Sequence, residues 1–216
     1  MNDPKVNKLI LRGAYITIIV LIIAVIALLI LKYDVEGERN IPFKLSNIII
    51  TSSAEGYQEK ENSEYKWDIE IYQNNEIYLN IEKNKNYKET ELIKSVQIEN
   101  IHTKKEPEVG AFKFNINNLK ISNKGGTIII SAVNQTGKKY KSNEKQLEHN
   151  GKLLEKAEIS YKQVRAIIEF DLIINLESNI SYRSTIEVDL PTGNIIEQGY
   201  ASIEIKDMKN IIYKRN

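Results

Sequence analysis

The chain has 216 residues, a formal net charge of +1 and no cysteine. The absence of cysteine excludes disulfides, thiol nucleophiles and thiolate metal sites, and the balanced charge is unlike the basic footprint of a nucleic-acid-binding protein. The sequence contains 37 Ile, 25 Lys and 23 Asn but only 5 Arg. This preference for residues with AT-rich codons indicates a bacterial source, and we expect a low-GC Gram-positive organism.

Residues 14–31, AYITIIVLIIAVIALLIL, contain no charged side chain. As a helix rising about 1.5 Å per residue they would span roughly 27 Å, close to the hydrocarbon thickness of a bilayer. Tyr15 and Tyr33 lie at the two ends, where interfacial aromatics are favoured. Ala24 and Ala27 come nearest to a signal-peptidase site, but they fall inside the apolar run. The segment therefore predicts an uncleaved signal anchor.

The charges that flank this segment differ in sign. Lys5, Lys8 and Arg12 precede it, whereas the acidic stretch 34–38 follows it. Because basic residues stay on the cytoplasmic side, we predict a bitopic protein of the cell membrane with a cytoplasmic N-terminus. Its predicted parts are a cytoplasmic tail (1–13), a transmembrane helix in the lipid bilayer (14–31), a juxtamembrane linker (32–42) and an extracytoplasmic domain (43–216).

Apolar and polar residues alternate over most of the sequence after Tyr65, which is the period-two pattern of half-buried strands. Runs of three isoleucines at 48–50 and 128–130 indicate strands that are apolar on both faces and therefore central in a sheet. Short strands separated by turn residues predict an all-β fold, an antiparallel β-sandwich. The clearest alternations are YKWDIEIY (65–72), IYLNIEK (77–83), AFKFNI (111–116), VRAIIEFDLIINL (164–176) and ISYRSTIEVDL (180–190).

The last two of these strands predict their own register. A two-residue turn at 178–179 would put the two apolar faces out of step, because a shift of one residue moves every side chain to the other face. A three-residue loop at 177–179 keeps the faces together and pairs Phe170 with Ile186. Such loops usually end in a left-handed residue, and Asn179 tolerates that conformation.

The same parity rule predicts an earlier hairpin. A three-residue loop at 73–75 would pair Ile71 with Ile77 and Ile69 with Leu79, which again keeps one face apolar.

Helical signals are short. One or two helical turns are predicted near Thr90–Lys94, and another short helix is predicted between Ser142 as its N-cap and Gly151 as its end. The longest polar interval, 134–156, is interpreted as an elaborate loop on a single sandwich. The alternative is a subdomain boundary within the same interval.

Four carboxylates converge on the polar face of the last predicted hairpin: Glu169, Asp171, Glu187 and Asp189. Paired carboxylates can bind a cation or serve as glycosidase acids, so these four are the candidate metal ligands. The predicted register places Glu169 opposite Glu187, which is unfavourable unless a cation lies between them. A solvated outer face explains the same pattern without a metal.

Other signatures of catalysis are missing from the sequence. His102 and His149 do not have zinc-ligand spacing. The sequence contains no nucleophile elbow, P-loop or dinucleotide-binding fingerprint. We therefore predict no catalytic residue, no cofactor and no enzymatic activity.

A basic stretch within the polar interval is the candidate binding site, because Lys138, Lys139, Lys141 and Lys145 surround Tyr140. Clustered lysines attract phosphate-rich polymers such as anionic wall polymers, although the ordinary solubility of a loop is the favoured explanation.

Three functions remain open. The leading hypothesis is a non-catalytic role in protein interaction or assembly at the cell envelope, with envelope proteins as partners. The second is binding of cell-wall glycan or polyanion, through the lysines or through exposed aromatics such as Tyr72 and Tyr78. The third is hydrolysis by the paired carboxylates.

Overall fold

A computed structural model of the chain describes residues 4–33, 41–60, 67–117, 121–142, 152–208 and 211–215. This part of the chain is mostly β-structure in two antiparallel sheets, and one apolar helix precedes it. The all-β prediction is therefore confirmed. Besides the first helix, α1 (Pro4–Tyr33), the described residues form three helices of one turn each: α2 (Leu153–Lys156), α3 (Tyr161–Val164) and α4 (Ile195–Gln198).

Helix α1 contains the whole predicted transmembrane segment and begins about three turns before it. Its window Leu11–Leu28 is long and apolar enough to cross a membrane. The side chains of this window are exposed, and none is buried against the β-structure. This window therefore has no part in the protein core.

The larger sheet is built from β1 (Phe43–Lys60), β2 (Trp67–Lys83), β4 (Ala111–Asn117), β5 (Gly125–Ser142) and β8 (Tyr200–Ile205). Its strand order is β4-β5-β2-β1-β8. The triple-isoleucine runs belong to β1 and β5, each of which has a strand on both sides. The prediction that these runs mark inner strands is confirmed, and the outward-facing Ile49 and Ile129 remain half-buried.

The smaller sheet is built from β3 (Ile93–Lys105), β6 (Ala166–Leu176), β7 (Ser181–Leu190) and β9 (Lys214–Arg215), in the order β3-β6-β7-β9. The predicted β6–β7 hairpin is confirmed. Phe170 faces Ile186, and the Phe170 side chain is only 1% exposed. Asn179 has the left-handed φ of 63°, and its N–H donates to the Leu176 carbonyl at 3.1 Å.

The hairpin predicted at 73–75 is wrong, because β2 runs straight through these residues and pairs with β1 on one side and β5 on the other. Side chains alternate between the two faces of a strand. The apolar residues before and after 73–75 therefore face the same side in a continuous strand, as they would across a three-residue loop. Gln73 and Asn75 face inwards like the isoleucines around them. They read as turn residues although they are buried polar residues of one long strand.

The helix predicted near Thr90–Lys94 is also wrong. The Ile93 N–H donates to the Asn123 carbonyl at 2.9 Å, and the Leu92 carbonyl accepts from the Glu177 N–H at 3.0 Å. These groups bond to distant parts of the chain, so they do not make the local bonds of a helix.

The loop interpretation of 134–156 is wrong for residues 134–142, which continue β5. The final part, Leu153–Lys156, forms α2. The helix predicted between Ser142 and Gly151 falls almost entirely on 143–151, outside the described residues.

Apolar residues from both sheets form one main core cluster, which includes Phe43, Leu79, Ile130 and Phe170. A second, smaller cluster lies towards the end of β1 and the start of β2, and it buries residues of all three one-turn helices. We call this the distal end of the β-structure. The opposite end, where β1 begins, is the basal end.

Candidate functional site

The four candidate carboxylates lie on the outer face of the smaller sheet, where Glu169 faces Glu187 as predicted. The cation between them is Lys104 of β3. Its Nζ lies 2.9 Å from Glu169 Oε2 and also contacts Glu187 Oε1. The hydrogen bond from Lys104 lowers the pKa of Glu169, and the bonds to Glu187 and Glu169 raise the pKa of Lys104. A side chain of the protein thus relieves the repulsion of the two carboxylates.

The other two carboxylates also have partners within the chain. Asp171 accepts hydrogen bonds from Thr185 Oγ1 at 2.7 Å and Asn100 Nδ2 at 2.8 Å. Burial opposes ionisation of Asp171, but these hydrogen bonds outweigh it and lower the pKa. Arg165 binds Asp189 through Nη2 at 2.6 Å and through Nε at 3.1 Å. The result is a ladder of ion pairs and hydrogen bonds across three strands.

This arrangement favours a solvated outer face over a cation site. In the described part of the chain, no three His, Asp or Glu residues lie close enough together to hold a metal ion. His102 is exposed, and its Nε2 lies 3.8 Å from Glu169 Oε1. His149 lies outside the described residues.

The candidate lysines sit on a strand. Lys138, Lys139 and Lys141 are exposed near the end of β5, whereas Lys145 lies outside the described residues. Lys139 Nζ lies 3.7 Å from Glu70, and the half-buried Tyr140 ring packs below Lys156 Nζ at 5.8 Å.

Strand β4 pairs with β5 only as far as Gln135, so among the strands that the structure describes, the lysines follow the point where β5 becomes an edge strand. Lysine on an edge strand opposes pairing with another chain, which is a structural reason for the cluster.

Tyrosines occupy the outer face of the larger sheet. Tyr57 and Tyr72 form an edge-to-face pair with ring centroids 4.8 Å apart, and Tyr57 is 54% exposed. The Tyr78 hydroxyl donates to the Glu76 carboxylate. This hydrogen bond, with burial, raises the pKa of Tyr78 to about 12. The predicted aromatic candidates therefore share one exposed sheet face.

A buried polar belt between the two core clusters escaped the sequence analysis. Ser52 Oγ donates to Asn75 Oδ1 at 2.7 Å, and Asn75 Nδ2 donates to the Ala132 carbonyl at 3.1 Å. Asn134 Nδ2 donates to Gln73 Oε1 at 3.2 Å. Polar residues in phase with an apolar stripe were the signal that could have revealed it. Because Asn134 is fully buried, a glycan at its N-x-T sequence would not fit the folded chain.

Comparison with known proteins adds no relative. No protein-family model matches the chain, and no match was found among curated proteins or solved structures. Function therefore has to be argued from the residues and their geometry.

Proposed function

We propose that the chain is a bitopic membrane protein. In this proposal α1 is an uncleaved signal anchor, the N-terminus is cytoplasmic, and the two sheets pack face to face as an extracytoplasmic β-sandwich. The main support is the exposed window Leu11–Leu28. A helix that is apolar all round is stable when it is buried in a core or in a bilayer, and this window is not buried in the protein. The core cluster shared by both sheets supports the sandwich.

The proposed role is non-catalytic, in protein interaction or assembly at the cell envelope. The pairing of charged side chains on the smaller sheet supports this role. Lys104, Arg165 and Arg183 each pair with a carboxylate on another segment of the smaller sheet. These pairs stabilise a flat sheet surface, whereas an enzyme would bring such groups together in a concave site.

Photo-crosslinking in intact cells tests the interaction role. A photoreactive residue at Thr185, on the outer face of the smaller sheet, should give an adduct of one discrete mass if this face contacts a partner. The matched control carries the same residue at Thr17 in α1, where lipid is the expected neighbour. Adducts that are absent, or identical at the two positions, would contradict the proposal.

A second candidate function is binding of cell-wall glycan by the tyrosine face. Tyr57, Tyr72 and Tyr78 are amphipathic side chains on one exposed sheet face, and such rings combine an apolar surface with a hydrogen-bonding group. Cosedimentation of the full chain with purified wall glycan should fall at least about tenfold in Tyr57→Ala/Tyr72→Ala. Unchanged cosedimentation would exclude this face as the site.

A further inference from the structure

The basal end of the β-structure is the end joined to α1. Helix α1 ends at Tyr33 and β1 begins at Phe43, so nine residues connect them. An extended chain covers at most about 3.6 Å per residue, which places Phe43 within roughly 35 Å of the helix end. If α1 spans the bilayer as proposed above, the start of β1 at the basal end is held within that distance of the membrane end of the helix.

Several separate segments meet at this end. The Asn84 N–H donates to the Pro42 carbonyl at 2.8 Å, next to the start of β1. The Ile93 N–H reaches Asn123, and Leu92 bonds to Glu177. The connection between β2 and β3 therefore lies beside the start of β1, the start of β5 and the β6–β7 loop.

Positive charge is concentrated there. The described residues of 43–44, 82–94, 121–126, 177–181 and 204–215 include nine Lys or Arg and six Asp or Glu. This excess of three exceeds the net charge of +1 of the whole chain, so the remainder of the chain is negative. The five exposed lysines without an ion pair to a described carboxylate are Lys83, Lys85, Lys88, Lys94 and Lys124.

Exposed apolar side chains lie among these lysines. Ile212 is 60% exposed and Leu92 is 36% exposed, and Tyr87 lies half-buried on the connection between β2 and β3. Surfaces that rest on a bilayer combine basic residues with apolar residues that enter the headgroup region, and tyrosine is favoured at that depth. We define the basal surface as the five lysines together with Leu92 and Ile212.

The basal surface also has two grooves, each of about 390 Å³. One is lined by Lys83, Lys124 and the glycines Gly125 and Gly126. The other is lined by Lys94 and by serine and asparagine side chains. Both offer an ammonium group beside hydrogen-bonding groups, which suits a phosphate-bearing headgroup.

We propose that the basal surface docks onto anionic phospholipid headgroups of the bilayer that holds α1. This inference rests on the proposed membrane anchor. Two observations favour lipid as the binding partner: the positive charge of the basal surface complements anionic headgroups, and the connection from α1 to β1 is short. Each lysine near an anionic bilayer strengthens binding by roughly fivefold, and the tether keeps the basal surface close to the headgroups.

Energy transfer in lipid nanodiscs tests the proposal with the full chain. Because the chain has no cysteine, Asn123→Cys labels the basal end and Lys162→Cys labels the distal end. Transfer from the basal dye to a headgroup-linked acceptor should be at least about twofold more efficient in discs with phosphatidylglycerol than in pure phosphatidylcholine. The difference should vanish near 1 M salt, where the Debye length is about 3 Å.

Matched charge variants isolate the basal lysines. The basal variant combines Lys83→Ser, Lys85→Ser, Lys94→Ser and Lys124→Ser, and it should abolish the response to phosphatidylglycerol. The control variant removes the same charge from exposed lysines elsewhere, with Lys105→Ser, Lys113→Ser, Lys152→Ser and Lys162→Ser, and it should respond like the wild type when labelled at Asn123→Cys. Equal responses of the two variants would overturn the proposal.

The proposed anchor and the proposed docking are contradicted by different results. A chain that does not copurify with the discs contradicts the proposed membrane anchor. A chain that stays in the discs but shows the same transfer in both lipids contradicts only the docking proposal, and it would leave the basal surface to a protein partner.

Discussion

Alkaline pH should destabilise the protein through Tyr213. The ring is buried in the main core, and its hydroxyl oxygen accepts a hydrogen bond from the Leu45 N–H at 2.8 Å. Burial raises the pKa of Tyr213 from 10.0 to about 12, because the phenolate would lose its hydration in the core. In the unfolded chain the same hydroxyl titrates near its ordinary value.

The direction of the effect follows from this difference. The folded pKa lies above the unfolded one, so the contribution of the neutral ring is fully present below about pH 10 and is lost as the pH rises towards 12. A difference of about two pH units corresponds to about 2.7 kcal/mol of unfolding free energy. Tyr213 alone should therefore remove a substantial part of the stability of a typical domain, which is roughly 5–15 kcal/mol.

Urea unfolding of the full chain in detergent measures this loss, with the single tryptophan, Trp67, as the fluorescent reporter. Tyr213→Phe should lower stability by about 1–3 kcal/mol near pH 8, because the buried Leu45 N–H loses its acceptor. Above pH 10 the variant should lose less stability than the wild type, so the two curves converge. If the wild type and the variant lost the same unfolding free energy above pH 10, ionisation of Tyr213 would not be coupled to unfolding.

Four further predictions concern the hairpin, a tight contact and the lysine cluster. Phe170→Ala should cost about 3–5 kcal/mol in urea unfolding, whereas Thr185→Ala, exposed on the partner strand, should cost about 1 kcal/mol or less; similar costs would contradict the core position. Asn179→Gly should change stability by no more than about 0.5 kcal/mol, because glycine readily adopts the φ of 63°, and a larger loss would mean that the Asn179 side chain matters. Gly110→Ala should lower the melting temperature by several degrees, because its Cβ would overlap Asn134 Oδ1 and the Gln135 carbonyl. The combined change Lys138→Ser, Lys139→Ser, Lys141→Ser and Lys145→Ser should leave folding intact and reduce salt-sensitive pelleting with wall polyanion; unchanged pelleting would remove the cluster as a binding site.

The β6–β7 hairpin could be predicted in detail because its signal is local. Its two strands alternate without interruption, and only an odd loop keeps Phe170 and Ile186 on one face. The left-handed Asn179 closes that loop. The repulsion between Glu169 and Glu187 also predicted a cation between them. The sequence could not show that Lys104 of β3 supplies it, because Lys104 lies 65 residues before Glu169 in the chain.

Long-range pairing explains the errors. Residues 73–75 have turn-forming composition, yet Gln73 and Asn75 find hydrogen-bond partners on β1 and β5. Such partners are invisible to a local pattern, and satisfied polar groups tolerate burial. Lys138, Lys139 and Lys141 were predicted to lie in a loop for the same reason, because their strand depends on its pairing with the distant β2. The environments of the candidate residues could not be predicted, because they come from tertiary contacts.

The most direct test of the proposed topology is labelling of single cysteines in intact protoplasts. The cysteine-free chain allows Ser178→Cys, in the exposed β6–β7 loop, to be compared with Asn2→Cys in the N-terminal tail. A membrane-impermeant maleimide should label Ser178→Cys at once and label Asn2→Cys only after permeabilisation. The reverse pattern would contradict the orientation, and a mature N-terminus near Leu28 would contradict the uncleaved anchor.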